Sequence, residues 1–178
     1  MAKLTEEKIS GGVAYAGSFL KVHRDAVRLP DGSRGEREYI RHPGAVLIVP
    51  LFDDGRVLLE RQFRYPHGKE FIEVPAGKRD PGEAPLQTAQ RELLEETGYA
   101  AADWQHVGVF STAIAYSDEN IDMYVARGLE QRERKLDAGE FLELLEVKFD
   151  EAIAMVRDGR ITDAKSMTAL LWTHNFLK

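Results

Sequence analysis

Glu83, Glu92, Glu95 and Glu96 crowd the stretch GKRDPGEAPLQTAQRELLEETGY, residues 77–99, with Arg91 as the one arginine close to the last three. Carboxylates at this density suit a hard divalent cation, which takes oxygen ligands from a few acids, from phosphate groups and from water. Pro85 fits the first turn of a helix and Gly98 its end, so the segment predicts a helix over about 84–97. With Glu92 as reference, Glu96 falls about 40° to one side and Glu95 about 60° to the other. Leu86, Ala89 and Leu93 form an apolar stripe centred roughly 90–100° away. One edge of the helix is built to pack, while the next presents acids. Arg91 and Glu95 are an i,i+4 pair, whereas Glu92 and Glu96 have no partner within the helix. Their repulsion is worth a few tenths of a kcal/mol, and a cation would remove it. The residues alone leave two readings open: a solvated acidic face or a metal site.

The elements around this helix follow from composition and periodicity. Residues 1–45 read as strands: SFLKVHRDAVRL, a PDGS turn at 30–33, and the return strand EREYIRH. AVLIVPLF (45–52) is an apolar run of buried-strand length, and DDG (53–55) turns it into RVLLERQF. KEFIEVPAG is a further strand, ended by Pro75 and Gly77. WQHVGVF, NIDMYVA and LELLEVKF are strand candidates after the glutamate helix, and DEAIAMVRDG and DAKSMTALLWTHNFL have helical spacing with Asp near each start. Many strands, one central helix, more strands and two closing helices predict an α+β or layered α/β domain with a mixed sheet.

With 178 residues, 43% hydrophobic and 30% charged, the chain suits one globular domain with room for a small appendage. A net charge of -6 argues against a general nucleic-acid binder. It leaves a phosphate substrate open, because a bound cation reverses the local field. The absence of cysteine excludes disulfides, zinc thiolates and cysteine nucleophiles. The start MAKLTEEKIS lacks a signal-like apolar run, and no stretch approaches the ~20 apolar residues of a membrane span. A cytoplasmic protein with no membrane or nucleic-acid partner is expected. No P-loop, G-x-S-x-G elbow or H-E-x-x-H motif occurs, and the five histidines show no ligand spacing.

The stretch resembles the Nudix box, G-x5-E-x7-R-E-U-x-E-E-x-G-U, with U a bulky apolar residue. Gly77, Glu83, Arg91, Glu92, Leu93, Glu95, Glu96, Gly98 and Tyr99 carry the match, Tyr99 being aromatic where an aliphatic residue is commoner. The resemblance implies an α/β/α sandwich around a mixed sheet. It implies Mg²⁺ or Mn²⁺ bound by Glu92 and Glu96, with Glu95 assisting and the Ala76 carbonyl completing the site. It implies that Arg91 pairs with a box glutamate to hold the array, and that Glu83 is structural or secondary.

The flanks ERQFRY (60–65) and EVPAG (73–77) resemble the ADP-ribose pyrophosphatase and nucleoside diphosphate sugar hydrolase branch. That likeness implies substrate contacts from Arg64 to the diphosphate and from Glu73 at the border of the site. YSDENIDMYVA (116–126) adds Glu119 by resemblance to an S-D-E segment. It also implies a homodimer built through residues 1–45, ahead of a hydrolase domain at 46–178. STAIAYSDE lacks the proline that ADP-ribose enzymes often carry there, which keeps GDP-mannose and similar substrates open. The branch places its general base on a loop after the box. RKLDAGEFLELLEV (134–147) matches that loop, with Glu140 as the expected base and Asp137 and Glu143 as rivals. The implied activity is Mg²⁺-dependent hydrolysis of ADP-ribose or a related nucleoside diphosphate sugar to a nucleoside monophosphate and a sugar phosphate. Alternatives are another nucleoside diphosphate derivative, a dinucleoside polyphosphate, or a non-catalytic ligand-binding module.

Overall fold

The computed structural model describes residues 4–177. The chain divides into two units, one running to Pro43 and taking in Ser111–Asn120, the other comprising Gly44–Phe110 and everything from Ile121 on.

The first unit is a three-stranded antiparallel sheet of β1 (Glu7–Ala16), β2 (Lys21–Arg28) and β3 (Arg34–Arg41), in that order. The expected PDGS turn joins β2 to β3. Gly32 takes φ 89°, and Asp31 accepts from both the amide and the hydroxyl of Ser33. Asp25 is the buried acid of this sheet, paired with Lys8 at 2.7 Å and accepting from the Tyr39 hydroxyl at 2.9 Å. Every residue of β1 is exposed.

The second unit contains two sheets. The first is mixed and ordered β7-β4-β9-β8, from β4 (Ala45–Pro50), β7 (Ala76–Lys78), β8 (Tyr99–Ser111) and β9 (Asn120–Gln131). In it β4 runs parallel to β9 and antiparallel to β7. The second is antiparallel, with β5 (Arg56–Arg64) between β10 (Leu142–Lys148) and β6 (Lys69–Glu73). Three helices complete the unit: α1 (Pro85–Glu92), α2 (Phe149–Asp158) and α3 (Ala164–Phe176).

The unbroken apolar run of β4 has a direct explanation, since successive side chains of a strand point to opposite faces. Val46 and Ile48 pack with Tyr124, Ala126, Ala89 and Leu93 under α1. Leu47 and Val49 pack with Ala152, Ile153 and Met155 of α2 and with Ala169 and Leu170 of α3. Helices therefore cover both faces of the mixed sheet, giving the α/β/α layering.

The glutamate helix departs from the expected form in two ways. Its α-helical part ends at Glu92, and Leu93–Thr97 is a π-helical turn closed by Gly98 at φ 73°. The stripe also shifts: Ala89 and Leu93 are fully buried, but Leu86 is 38% exposed. Thr88 takes the buried place instead, its hydroxyl donating to Glu83 at 2.9 Å. Because the π turn is wider than an α turn, Glu96 is carried onto the buried side, 5% exposed, rather than onto a solvated edge.

Candidate active site

One cavity of about 270 Å³ in the second unit gathers the box residues. Ala76, Gly77, Lys78 and Asp80 line one side; Arg91, Glu92, Glu95 and Glu96 line another; Asp137 and Glu140 reach it from the loop before β10. The α1 and π-turn segment presents the glutamates, and β7 lies against it, with the Ala76 amide donating to Glu96 Oε2 at 3.2 Å. Gly77 is required by this approach. A Cβ built there would stand on Cδ, Oε1 and Cγ of Glu92, closer than any real Cβ contact.

Arg91 is the hub. It donates to Glu83 from Nε (3.0 Å) and Nη2 (2.9 Å), and from Nη1 to Glu92 at 2.8 Å and Glu95 at 3.0 Å. Glu92, expected to lack a partner, is thus held by its own neighbour, because the long guanidinium arm folds back along the helix. The pairing with Arg91 drives the Glu83 carboxyl from its ordinary 4.5 down to about 2. The folded carboxyl therefore stays ionised where the unfolded one has taken a proton. This contribution to stability is fully present above 4.5 and is lost as pH falls to about 2. Glu83→Gln is expected to flatten the stability profile in that acid window, as read by thermal unfolding at stepped pH.

The other acids are under the opposite pressure. Burial raises the Glu96 carboxyl well above the usual range, reinforced by the charges of Glu60, Glu92 and Glu140. Burial also raises Glu92, against the pull of Arg91. Glu60 is pushed up to about 8, first by burial and then by Glu140. Its Oε1 is buried without a hydrogen-bond partner. This excess of buried negative charge on hard oxygen donors fits a divalent cation. Among the described residues no three acidic or imidazole side chains already stand in a metal-holding arrangement. Arg91 engages Glu92 through Oε1 and Glu95 through Oε2, one oxygen of each carboxylate, so a cation could take the other oxygen without breaking either pair.

The loop carrying Glu140 is tied down at both ends by Arg134. Its Nε donates to the Glu96 carbonyl at 2.6 Å and its Nη2 to the Leu142 carbonyl at 3.0 Å. The Glu140 amide donates to the Asp137 carbonyl at 3.1 Å, and Gly139 takes φ 89° in the intervening turn. Arg134→Ala is expected to lower kcat about tenfold or more by releasing the loop, with faster proteolysis between residues 135 and 141 as the independent readout. The rival Glu143 points elsewhere: it pairs with Arg61 and lines a separate groove with Phe63 and Phe141.

Arg64 and Glu73 are brought together, but in another recess. Arg64 grips Glu73 through Nε and Nη2, both at 2.7 Å, and Lys165 of α3 pairs with the same carboxylate. Burial raises the Glu73 carboxyl, and the two cations more than reverse it, leaving it below the ordinary range. Glu119 belongs to the first unit, where it accepts from Thr112 at 2.6 Å and faces His42 at 3.5 Å.

Sequence reasoning passed over Glu60, Arg134 and Lys165. For Glu60 a signal was present: it ends the run Val57–Leu59, whose side chains are fully buried, so an acid there stands at an inward position. Arg134 and Lys165 gave none, because each acts across a long loop or between distant elements.

The NUDIX domain profile matches residues 41–170. The chain belongs to the Nudix family. Members of this family generally need a divalent metal, in keeping with the charge excess just described. A second profile, the nucleoside diphosphate sugar hydrolase N-terminal domain, matches residues 6–40. A Bacillus methanolicus protein named methanol dehydrogenase activator is 40% identical over 173 residues, covering 96% of this chain and 94% of that protein. A Bacillus subtilis protein named ADP-ribose pyrophosphatase is 36% identical over 172 residues, covering 96% and 93%. A crystal structure of an ADP compounds hydrolase shares the Nudix fold, with a TM-score of 0.88 over 97% of this chain and 94% of that one, at 23% identity.

Proposed function

We propose that this Nudix protein hydrolyses the diphosphate bond of ADP-ribose or a related nucleoside diphosphate sugar, with Mg²⁺ or Mn²⁺, to AMP or its equivalent and a sugar phosphate such as ribose 5-phosphate. The observation that carries this reading is the single cavity in which Glu92, Glu95, Glu96 and Glu140 converge. The name of the Bacillus subtilis relative and the sugar hydrolase N-terminal profile support the substrate class.

A divalent cation, when bound, supplies charge neutralisation for the diphosphate and acidifies water. Glu92 and Glu96 would hold it, with Glu95 and the Ala76 carbonyl beside them. Arg91 keeps the glutamates aligned. Glu140, reaching the same cavity from a loop, takes the proton from the attacking water. Arg64 already uses two donors on Glu73, which fixes the guanidinium plane and leaves its remaining N–H groups for a diphosphate oxygen. Glu119 is a further substrate contact in this reading.

The protein acts as a homodimer joined through its N-terminal sheet. The wholly exposed β1, with Ile9, Val13 and Tyr15 among its exposed side chains, supports that arrangement. No helix of the described residues is long and apolar enough to cross a membrane, and a cysteine-free chain acting on nucleotides fits the cytoplasm.

The deciding assay incubates the protein with Mg²⁺ and, separately, ADP-ribose, NADH, GDP-mannose, UDP-glucose and diadenosine polyphosphates. AMP and ribose 5-phosphate from ADP-ribose, abolished by a chelator, are the expected result. Turnover of none of them with metal present sinks the hydrolase reading. Preference for GDP-mannose moves the substrate within the same class.

A further inference from the structure

We propose that Glu60, which lies outside the Nudix box, is a ligand of the divalent cation together with Glu96. The inference rests on the metal-dependent reading above.

Glu60 lies on β5, opposite Glu73 of β6 and Leu144 of β10 in the strand register, and is 4% exposed. Its Oε1 has no hydrogen-bond partner. A buried carboxylate oxygen without a donor is costly and calls for a compensating group. The neighbouring cations are already engaged. Arg134 donates to the carbonyls of Glu96 and Leu142, Arg64 grips Glu73, and Lys165 pairs with Glu73 and Asp163. The groups whose charge bears most directly on Glu60 include Glu140, which lines the catalytic cavity, and Glu96 in the same wall feels Glu60 in return. Among the described residues, the Ala76 amide donates to the Glu96 carboxylate at 3.2 Å. Glu60, with one unpartnered oxygen, and Glu96, which lines the cavity, are thus two buried acids whose like charges act on each other. One dication satisfies both at once, and hard oxygen donors are what Mg²⁺ and Mn²⁺ prefer.

The test measures Mn²⁺ binding to the full chain by the loss of the free-ion paramagnetic resonance signal, alongside thermal unfolding of the metal-free protein. Wild type, Glu60→Gln and Glu60→Met are compared. Both variants are expected to bind Mn²⁺ at least about tenfold more weakly, with a metal-free Tm equal to or above that of wild type because a like charge has been removed. Unchanged affinity in Glu60→Gln overturns the proposal while leaving the metal-dependent reading intact. A lowered metal-free Tm in both variants marks Glu60 as a structural anion and also overturns it. Failure of the wild type to bind Mn²⁺ overturns both the proposal and the reading beneath it.

Discussion

Glu140→Gln is expected to lower kcat by about 10²–10⁴-fold, the range a positioned general base contributes, and to leave the unfolding free energy within about 0.5 kcal/mol of wild type. The small structural cost follows from the contacts. Glu140 sits half-buried in a loop whose shape is set by Arg134 and by main-chain hydrogen bonds, not by the Glu140 side chain. Glutamine keeps the size and loses the ability to accept a proton. Steady-state kinetics across pH are the check: the variant should lose the limb of the rate profile that reports the base. A variant turning over at the wild-type rate would transfer the role to Asp137, which lines the same cavity, since Glu143 is committed to Arg61.

Gly77→Ala is expected to reduce activity by about 10²-fold, because displacing a positioned group by an ångström or so costs that much. The added methyl falls on the carboxyl end of Glu92, not on main chain. A glutamate side chain can swing aside, so the fold should survive with a modest overpacking cost of about 1–3 kcal/mol. The carboxylate that swings is the one the cavity needs. The prediction is therefore a separation of effects: a nearly normal unfolding transition, a large loss of turnover, and a weakened response of Tm to added Mg²⁺. An activity close to wild type would mean that the position of Glu92 is not critical.

Much of this molecule is legible in its sequence, and the reasons are local. AVLIVP declared a strand buried on both faces, and it lies between helices as such a run must. PDGS marked a turn because only a glycine accepts φ 89° at low cost there. The crowding of Glu92, Glu95 and Glu96 is legible from their spacing alone, and so is Asp163 as the cap of α3, accepting from the Ser166 amide at 3.0 Å. What escaped was anything set by the tertiary arrangement. A 3.6-residue period has no means of announcing a π turn, so it places Leu86 in the core and Glu96 on the edge. The i,i+4 spacing pairs Arg91 with Glu95, but the grip of Arg91 on Glu83, eight residues away, depends on the path of the preceding loop. Glu60 beside the like charges of the cavity, and Lys165 on Glu73, take their places only once β5 and α3 are docked.

The π turn at Leu93–Thr97 also restricts how this enzyme can vary in length. Each residue of an α-helix advances the direction of its side chain by about 100°. Deleting one residue from LLEET ahead of Glu96 would tighten the π turn into an ordinary α turn and give up the wider path that puts Glu96 on the buried side. The position of Glu96 would then swing from the protein interior toward bulk solvent, and Gly98 would no longer close the turn where Arg132 and Arg134 dock on it. Substitutions at the exposed Leu94 can be absorbed, but insertions and deletions here cannot.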